Sequence, residues 1–471
     1  MNGNMNMRGR PERRPQERGG RMPASKGRFP LGELLIAMLI VTAIFAVIWA
    51  SAMTRSSPAG GTATGGNTTD TALPAAATET PTVDPDSYTD ITLLCGGDVM
   101  YHSPQIESAY DSVSGAYDFS PSYRYVKSIV SAADYAVVNF ETTLAGPDYE
   151  YTGWPAFNSP DSGLTALTSA GFDMMLFANN HCYDTGHAGV VRTQEVFRSA
   201  GVDYIGARPN TSERTYRTVN VNGTVIGMLN STNDIAYGNT VPRTINGITI
   251  ADEDLPLLDI FNDSLMEDFY SQTKNRIAEL KNEGAGLIIY FIHWGDEYSL
   301  QHNAAQAAIA QRLCDLGVDV IIGGHPHVIQ DAEILNSTTD PSHSTLCFYS
   351  LGNLISNQNR LTLGDTANKE YTENGLFVRL TVRRYGDGRC ELNAVETIPL
   401  WVHRYYSAAS GKTNYDVIPL EAAIADPSSY GLYESSFGVS NAGEAYRMTN
   451  TTLGGICEAF ASKHAAAGGV T

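Results

Sequence analysis

Val318 to His327 reads VDVIIGGHPH. Its first half is an apolar, β-branched run of the kind that forms a buried strand, and its second half is two glycines followed by two histidines around a proline. Gly323 and Gly324 let the backbone turn closely, and Pro326 breaks the strand alternation that would send neighbouring side chains to opposite faces. His325 and His327 can therefore face one centre. A single histidine after a strand is commonly a partly buried, hydrogen-bonded side chain; two on one glycine-flanked turn fit metal ligation better.

Working outward, the same arrangement of apolar strand followed by polar ending recurs four more times. Ile91 to Cys95 runs into Gly96, Gly97 and Asp98, and Tyr135 to Val138 into Asn139, Phe140 and Glu141. Met174 to Ala178 runs into Asn179, Asn180 and His181, and Leu287 to Ile292 into His293, Trp294 and Gly295. Further strands are expected at Thr224 to Leu229, Thr345 to Tyr349 and Leu376 to Val382. Helical patterns at Val190 to Ala200, Leu265 to Asn282 and Ala304 to Leu316 complete the alternation of an α/β domain. Gly386-Asp387-Gly388 reads as a hairpin turn before Cys390 to Val395, and a helix is expected around Leu453 to Lys463. In an open α/β sheet, sites assemble at the carboxyl ends of the strands, so five such endings predict one cleft. Imidazole, carboxylate and amide oxygen together suit borderline divalent ions, namely manganese, iron or zinc, better than an all-oxygen calcium cage.

The series GGDVM (96–100), NFETTL (139–144), NNHCYDTG (179–186), IHWG (292–295), GGHPH (323–327) and YSLGN (349–353) resembles the CapA family of capsule and poly-γ-glutamate synthesis proteins, a branch of the calcineurin-like metallophosphoesterase fold. The likeness runs from about Ile91 to Leu400. It implies a layered α/β/β/α sandwich with one or two divalent metal ions at the strand ends and, as activity class, a metal-dependent hydrolase. By position, Asp98 would bind the first metal, Glu141 would take the place of the bridging carboxylate, Asn180 and His293 would bind the second, and His325 and His327 would complete the shells. His181 would stand beside the leaving group, with Asp184 orienting its ring or else lying as a solvated loop acid. The chain departs from the superfamily's D-x-H pattern at Met100, a poor ligand for such ions, so one site loses a ligand unless His102 turns in.

The ends of the chain carry a different message. Residues 1–30 hold eight Lys or Arg with many Gly and Pro, which reads as a basic cytoplasmic tail. Residues 31–52 contain the uncharged run LLIAMLIVTAIFAVIWA, long enough with its flanks for a single transmembrane helix, and the positive-inside bias puts the tail in the cytoplasm and the rest outside. Ala50-Ser51-Ala52 also matches a signal-peptidase site, and either reading exports the main domain. Residues 53–87 read as a flexible linker, 88–405 as the CapA/metallophosphoesterase-like domain, and 406–471 as a C-terminal extension packing on it.

The formal net charge is −20, which weighs against nucleic acid as a partner and means that an anionic cell-envelope polymer or phosphoester would need local cations. The CapA resemblance implies membrane synthase subunits as protein partners, and a polymer-handling or scaffold subunit without catalysis as the other functional class. The six cysteines have no C-x-x-C spacing and mostly lie in apolar runs, so they read as small buried side chains rather than as a zinc or redox motif.

Overall fold

The strand Tyr88–Val99 alternates its side chains between two different cores, and this alternation organises the whole domain. Ile91, Leu93 and Cys95 point one way, into a core shared by two facing sheets, while Leu94 points the other way, toward helices. Ile289 and Phe291 of strand Leu287–His293 enter the same inner core, whereas Ile288, Tyr290 and Ile292 face helices on the far side. A strand buried on both faces must be apolar at every position, which is why these segments read as continuous hydrophobic runs. Helices Ser162–Ala170 and Gly186–Ala200 cover one sheet, and Met266–Asn282 and Ala304–Asp315 cover the other, giving an α/β/β/α layering.

The computed structural model describes residues 84, 87–234 and 243–468. The basic tail, the apolar span 31–52 and all but two residues of the expected linker 53–87 lie outside them. Among the described residues no helix is long and apolar enough to cross a membrane.

Among the described residues the first sheet has eight strands. Tyr88–Val99, Tyr135–Phe140, Met174–Leu176 and Asp203–Ile205 run parallel, the short Asn353–Ile355 pairs parallel with the end of Tyr88–Val99, and Asn374–Tyr385, Cys390–Ser407 and Lys412–Pro419 extend the sheet antiparallel from the other side of Tyr88–Val99. The second sheet has seven strands, with Ile260–Phe261, Thr224–Asn233, Leu287–His293, Val320–Gly324 and Ser344–Phe348 parallel, and Arg217–Val221 and Ala332–Asn336 antiparallel to their neighbours. The parallel strands of both sheets bring Asp98, Asn139, His293 and Gly324 to their carboxyl ends together.

The C-terminal region differs from the sequence expectation. The strand Cys390–Ser407 passes through the boundary expected at 405, and Lys412–Pro419 pairs along it, so residues beyond 406 supply an edge strand of the main sheet. The helix expected around Leu453 to Lys463 is present as Ile456–Gly468; a helix not assigned from the sequence, Gly438–Leu453, precedes it and ends where Gly454 and Gly455 take positive φ (56° and 79°). All six cysteines are free, and Cys95, Cys182, Cys314 and Cys347 are buried.

Candidate metal centre

Asp98 enters the centre from the end of its strand, where the backbone must pass very close to a neighbouring loop. A side chain on the preceding Gly97 would put its Cβ 2.0 Å from the carbonyl oxygen of Gly352. Across the centre, a Cβ on Gly324 would stand 2.6 Å from Asp98 Oδ1. Both glycines are thus required for the strand ends to close on the carboxylate. The turn that follows holds His325 and His327 at φ +98° and +56°, left-handed conformations that side-chain-bearing residues hold only when the surrounding fold imposes them.

The result is two groups of ligand atoms sharing one carboxylate. Glu141, His293 and His325 offer one set, and Asp98, Glu141 and His327 the other, with the atoms of each set within 4.8 Å of one another. His293 Nε2 lies 3.5 Å from Glu141 Oε1, 3.2 Å from His325 Nδ1 and 2.8 Å from Asn180 Oδ1. His327 Nδ1 lies 3.3 Å from Asp98 Oδ2, and its Nε2 lies 3.8 Å from Glu141 Oε1. Every metal-ligand candidate read from the sequence, Asp98, Glu141, Asn180, His293, His325 and His327, is therefore within reach of this one centre.

The donor set fits cations. Glu141 Oε1 and both ring nitrogens of His327 are buried and have no hydrogen-bond partner among the described residues, and unpaired polar atoms of this kind are strongly disfavoured unless something satisfies them. Burial, and then the neighbouring Asp98, pushes the Glu141 carboxyl well above its ordinary range. Burial and the adjacent imidazoles hold His293 well below its ordinary value and His325 at about 4. Bound divalent ions would invert the first of these effects and use the neutral imidazoles that the second provides.

His181 approaches from the loop after Met174–Leu176. Its Nδ1 is 2.7 Å from Asp184 Oδ2, and Asp184 in turn accepts from the Phe157 amide at 2.6 Å and from Asn246 Nδ2 at 2.8 Å. The Asp184 side chain is fully buried, so it is not a solvated loop acid. Phe157 meets the His181 ring edge to face, with centroids 4.7 Å apart.

His102 stands in neither ligand group. It caps helix Ser103–Ala109, its amide donating to Gln105 Oε1 at 2.9 Å, and its Nδ1 accepts from the Asn357 amide at 3.3 Å. Met100 is buried, with its sulfur 3.9 Å from Ser356 Oγ. Trp294 and Tyr183 serve packing and loop anchoring, the indole donating to the Tyr349 carbonyl and the phenol to Asp254.

Two asparagines were given no role from the sequence, although Asn139 was named in a strand ending. Asn139 Nδ2 donates to Asp98 Oδ1 at 2.8 Å and to Glu141 Oε2 at 3.2 Å, and its Oδ1 accepts from Asn179 Nδ2. Its spacing of two from Glu141, the residue just past the strand Tyr135–Phe140, was the available signal, since extended residues two apart share a face. Asn246, on the turn between Thr244–Ile245 and Ile248–Thr249, reaches Asp184 and the Pro155 carbonyl, and nothing local in the sequence announces it.

These features define a class: an α/β protein of two facing sheets with a shared-carboxylate, histidine-rich centre at the ends of its parallel strands. The family model described as bacterial capsule synthesis protein PGA_cap matches residues 92–358, and the chain belongs to that family, the CapA family. The capsule biosynthesis protein CapA of Bacillus anthracis is 27% identical over 288 residues, covering 60% of this chain and 63% of that protein. The PGA biosynthesis protein CapA of Bacillus subtilis is 26% identical over 278 residues, covering 58% and 64%. A probable polyglutamine synthesis accessory protein of Mycobacterium tuberculosis is 23% identical over 278 residues, covering 52% and 70%. The matched region spans a little under two thirds of the length of the two Bacillus relatives.

Proposed function

We propose that this protein is a membrane-anchored CapA-like factor working outside the cell in capsule or poly-γ-glutamate biosynthesis or export, with a metal-dependent phosphoesterase-type site. The anchor is residues 31–52, the partners are membrane synthase subunits, and the substrate is an anionic envelope polymer or a phosphoester. The observation that carries the catalytic part is Glu141, shared by two ligand groups while its buried Oε1 has no protein partner. Glu141 with His293 and His325 would hold one ion, assisted by Asn180, and Asp98 with His327 and Glu141 the other. When bound, such ions polarise a phosphoryl or acyl oxygen and acidify water at neutral pH. Asn139 fixes the two carboxylates. His181, with Nδ1 bound to Asp184, keeps Nε2 as the atom that gives a proton to a leaving oxygen.

Met100 favours a second reading, a polymer-handling subunit without catalysis, because it adds no nitrogen to the Asp98 side of the centre. Elemental mass spectrometry on the full chain in detergent separates the two. Close to two transition-metal ions per chain, lowered in His325→Ala, supports the catalytic reading. No retained metal after replenishment overturns it.

A further inference from the structure

Away from the centre, on the flank of the sandwich where edge strand Asp203–Ile205 of one sheet comes near Arg217–Val221 of the other, lies a cavity of about 690 Å³. Four arginines line it, Arg198, Arg208, Arg214 and Arg217, in a chain whose formal net charge is −20. Their pairing is incomplete. Arg208 and Arg276 share the single carboxylate of Asp259, at 2.7 and 3.5 Å, leaving that buried trio one positive charge in excess. Arg217 pairs with Asp203, and Arg214 with Glu283 at 2.6 Å, the Arg214 side chain remaining largely exposed. Arg198, in the last turn of its helix, bonds the Tyr204 hydroxyl at 3.3 Å and has no carboxylate partner among the described residues. A protein surface that repels anions generally thus offers guanidinium donors here.

The acids in the wall decide which anion fits. Asp203 is taken up by Tyr135 and Arg217, and Asp259 by Arg208 and Arg276, so Glu213 is the lining carboxylate with no ion pair among the described residues, and it sets an acceptor beside the Arg198 donors. A polyphosphate carries acceptors only and would meet those carboxylates as like charges. A chain that bears both carboxylates and amide N–H groups can satisfy both kinds of lining, with Arg holding its carboxylates by paired N–H bonds.

The cavity wall touches the segment that leads into the centre. A Cβ on Gly206, in its wall, would stand 2.2 Å from the Ala178 amide nitrogen and 2.3 Å from Asn230 Oδ1, and Ala178 leads directly into Asn179, Asn180 and His181.

We infer that this arginine-lined flank cleft is a binding site for an acidic polyamide, a chain of carboxylate-bearing units joined by amide bonds. The choice of polymer rests on the capsule and polyglutamate reading above; the cleft and its charge pattern do not.

The test is fluorescence anisotropy of the full chain in detergent with a labelled, γ-linked oligoglutamate. Binding is expected at low salt and to weaken as salt rises, as exposed charge contacts are screened. The double variant Arg198→Glu/Arg214→Glu is expected to bind at least about tenfold more weakly, because two cations become anions at the mouth. Its metal content and melting temperature should match the wild type, which separates this site from the metal centre, and His325→Ala should leave oligomer binding within about twofold. Should the double variant melt early, Arg198→Gln and the wild-type salt dependence give the same reading. Absence of binding, equal binding by the charge-reversed variant, loss of binding in His325→Ala alone, or displacement by polyphosphate at lower concentration than by unlabelled oligoglutamate would each overturn the assignment.

Discussion

Glu141 Oε1 lies 3.8 Å from His327 Nε2, the two facing each other across the buried floor of the centre without a hydrogen bond from either atom to any described residue. A carboxylate and an imidazole at that separation are too far apart to satisfy each other and close enough to share a cation. Because Glu141 also faces His293 at 3.5 Å, it is the one side chain whose loss should disturb both ligand groups.

Glu141→Gln keeps the shape and removes the charge. Affinity for added manganese or zinc is expected to fall by more than about a hundredfold, at least as much as changes to groups that merely support metal ligands. In the wild type, ion at a hundred times its Kd should stabilise the fold by about 2.7 kcal/mol, and calorimetry should find this rise absent in the variant. The metal-free variant should melt no lower than the wild type, since an amide replaces a buried carboxyl already held above its ordinary pKa. A metal-induced rise that survives the substitution would rule out Glu141 as the shared ligand.

Asp184→Asn tests the proton-handling pair. The buried carboxylate accepts from His181, Phe157 and Asn246, and the amide cannot accept all three without presenting an N–H to one of them. Hydrolysis of p-nitrophenyl phosphate is expected to drop by about a hundredfold or more with metal content unchanged, and the alkaline side of the pH–rate profile should shift. Asn246→Ala should have a smaller effect in the same direction. Unaltered turnover in Asp184→Asn would make the pair structural.

How much of this was legible in sequence follows from where the contacts lie. Asp98, Glu141, Asn180, His181, His293, His325 and His327 each follow a run apolar at nearly every position, and parallel strands deliver their carboxyl ends to one edge, so local pattern was sufficient to group them. Asn246 was illegible because it reaches Asp184 across 62 residues from a turn with no periodic flank. Asn139 was read as part of a polar strand ending, without the carboxylate contacts it makes. His102 was open to a ligand role by spacing alone, yet its Nδ1 accepts from the Asn357 amide, a contact 255 residues away that no local pattern announces. The C-terminal edge strand Lys412–Pro419 was obscured because Lys412, Thr413 and Asn414 are polar and only half-buried, which leaves a weaker hydrophobic signal than a strand covered on both faces.

A pH effect independent of the centre is expected from His403. Its ring lies between Trp401 and Tyr405, with centroids 5.0 and 4.7 Å away, its Nε2 meets Ser435 Oγ at 2.9 Å, and its Nδ1 has no partner among the described residues. Burial first, and Arg124 second, push it down from 6.5 to about 4. A lowered histidine contributes stability above its unfolded value and loses it as pH falls toward the folded one, so melting temperature should decline from about pH 6.5 to about 4. His403→Gln keeps a donor for Ser435 and removes the titration; it should flatten that decline by on the order of 2 kcal/mol. An unchanged slope would mean that other groups carry the acid sensitivity.

Met100→His would supply the nitrogen that this chain lacks. Met100 follows Asp98 by two, and although the strand ends at Val99, its amide still donates to the Ile355 carbonyl at 2.9 Å, so the backbone is held in place for an exchanged side chain. The site is fully enclosed, and swapping a flexible thioether for a rigid polar ring there should lower metal-free stability by ~1–3 kcal/mol. An imidazole is a far better ligand than a thioether for manganese, iron or zinc, so the ion on the Asp98–His327 side should bind about tenfold or more tightly, and saturating metal should recover the lost stability. If turnover rises with occupancy of that ion, Met100 limits a hydrolase whose remaining parts are intact. If affinity rises and turnover stays absent, the chain has kept the ligand cage and lost the reaction, and polymer handling becomes the better account of what the domain does.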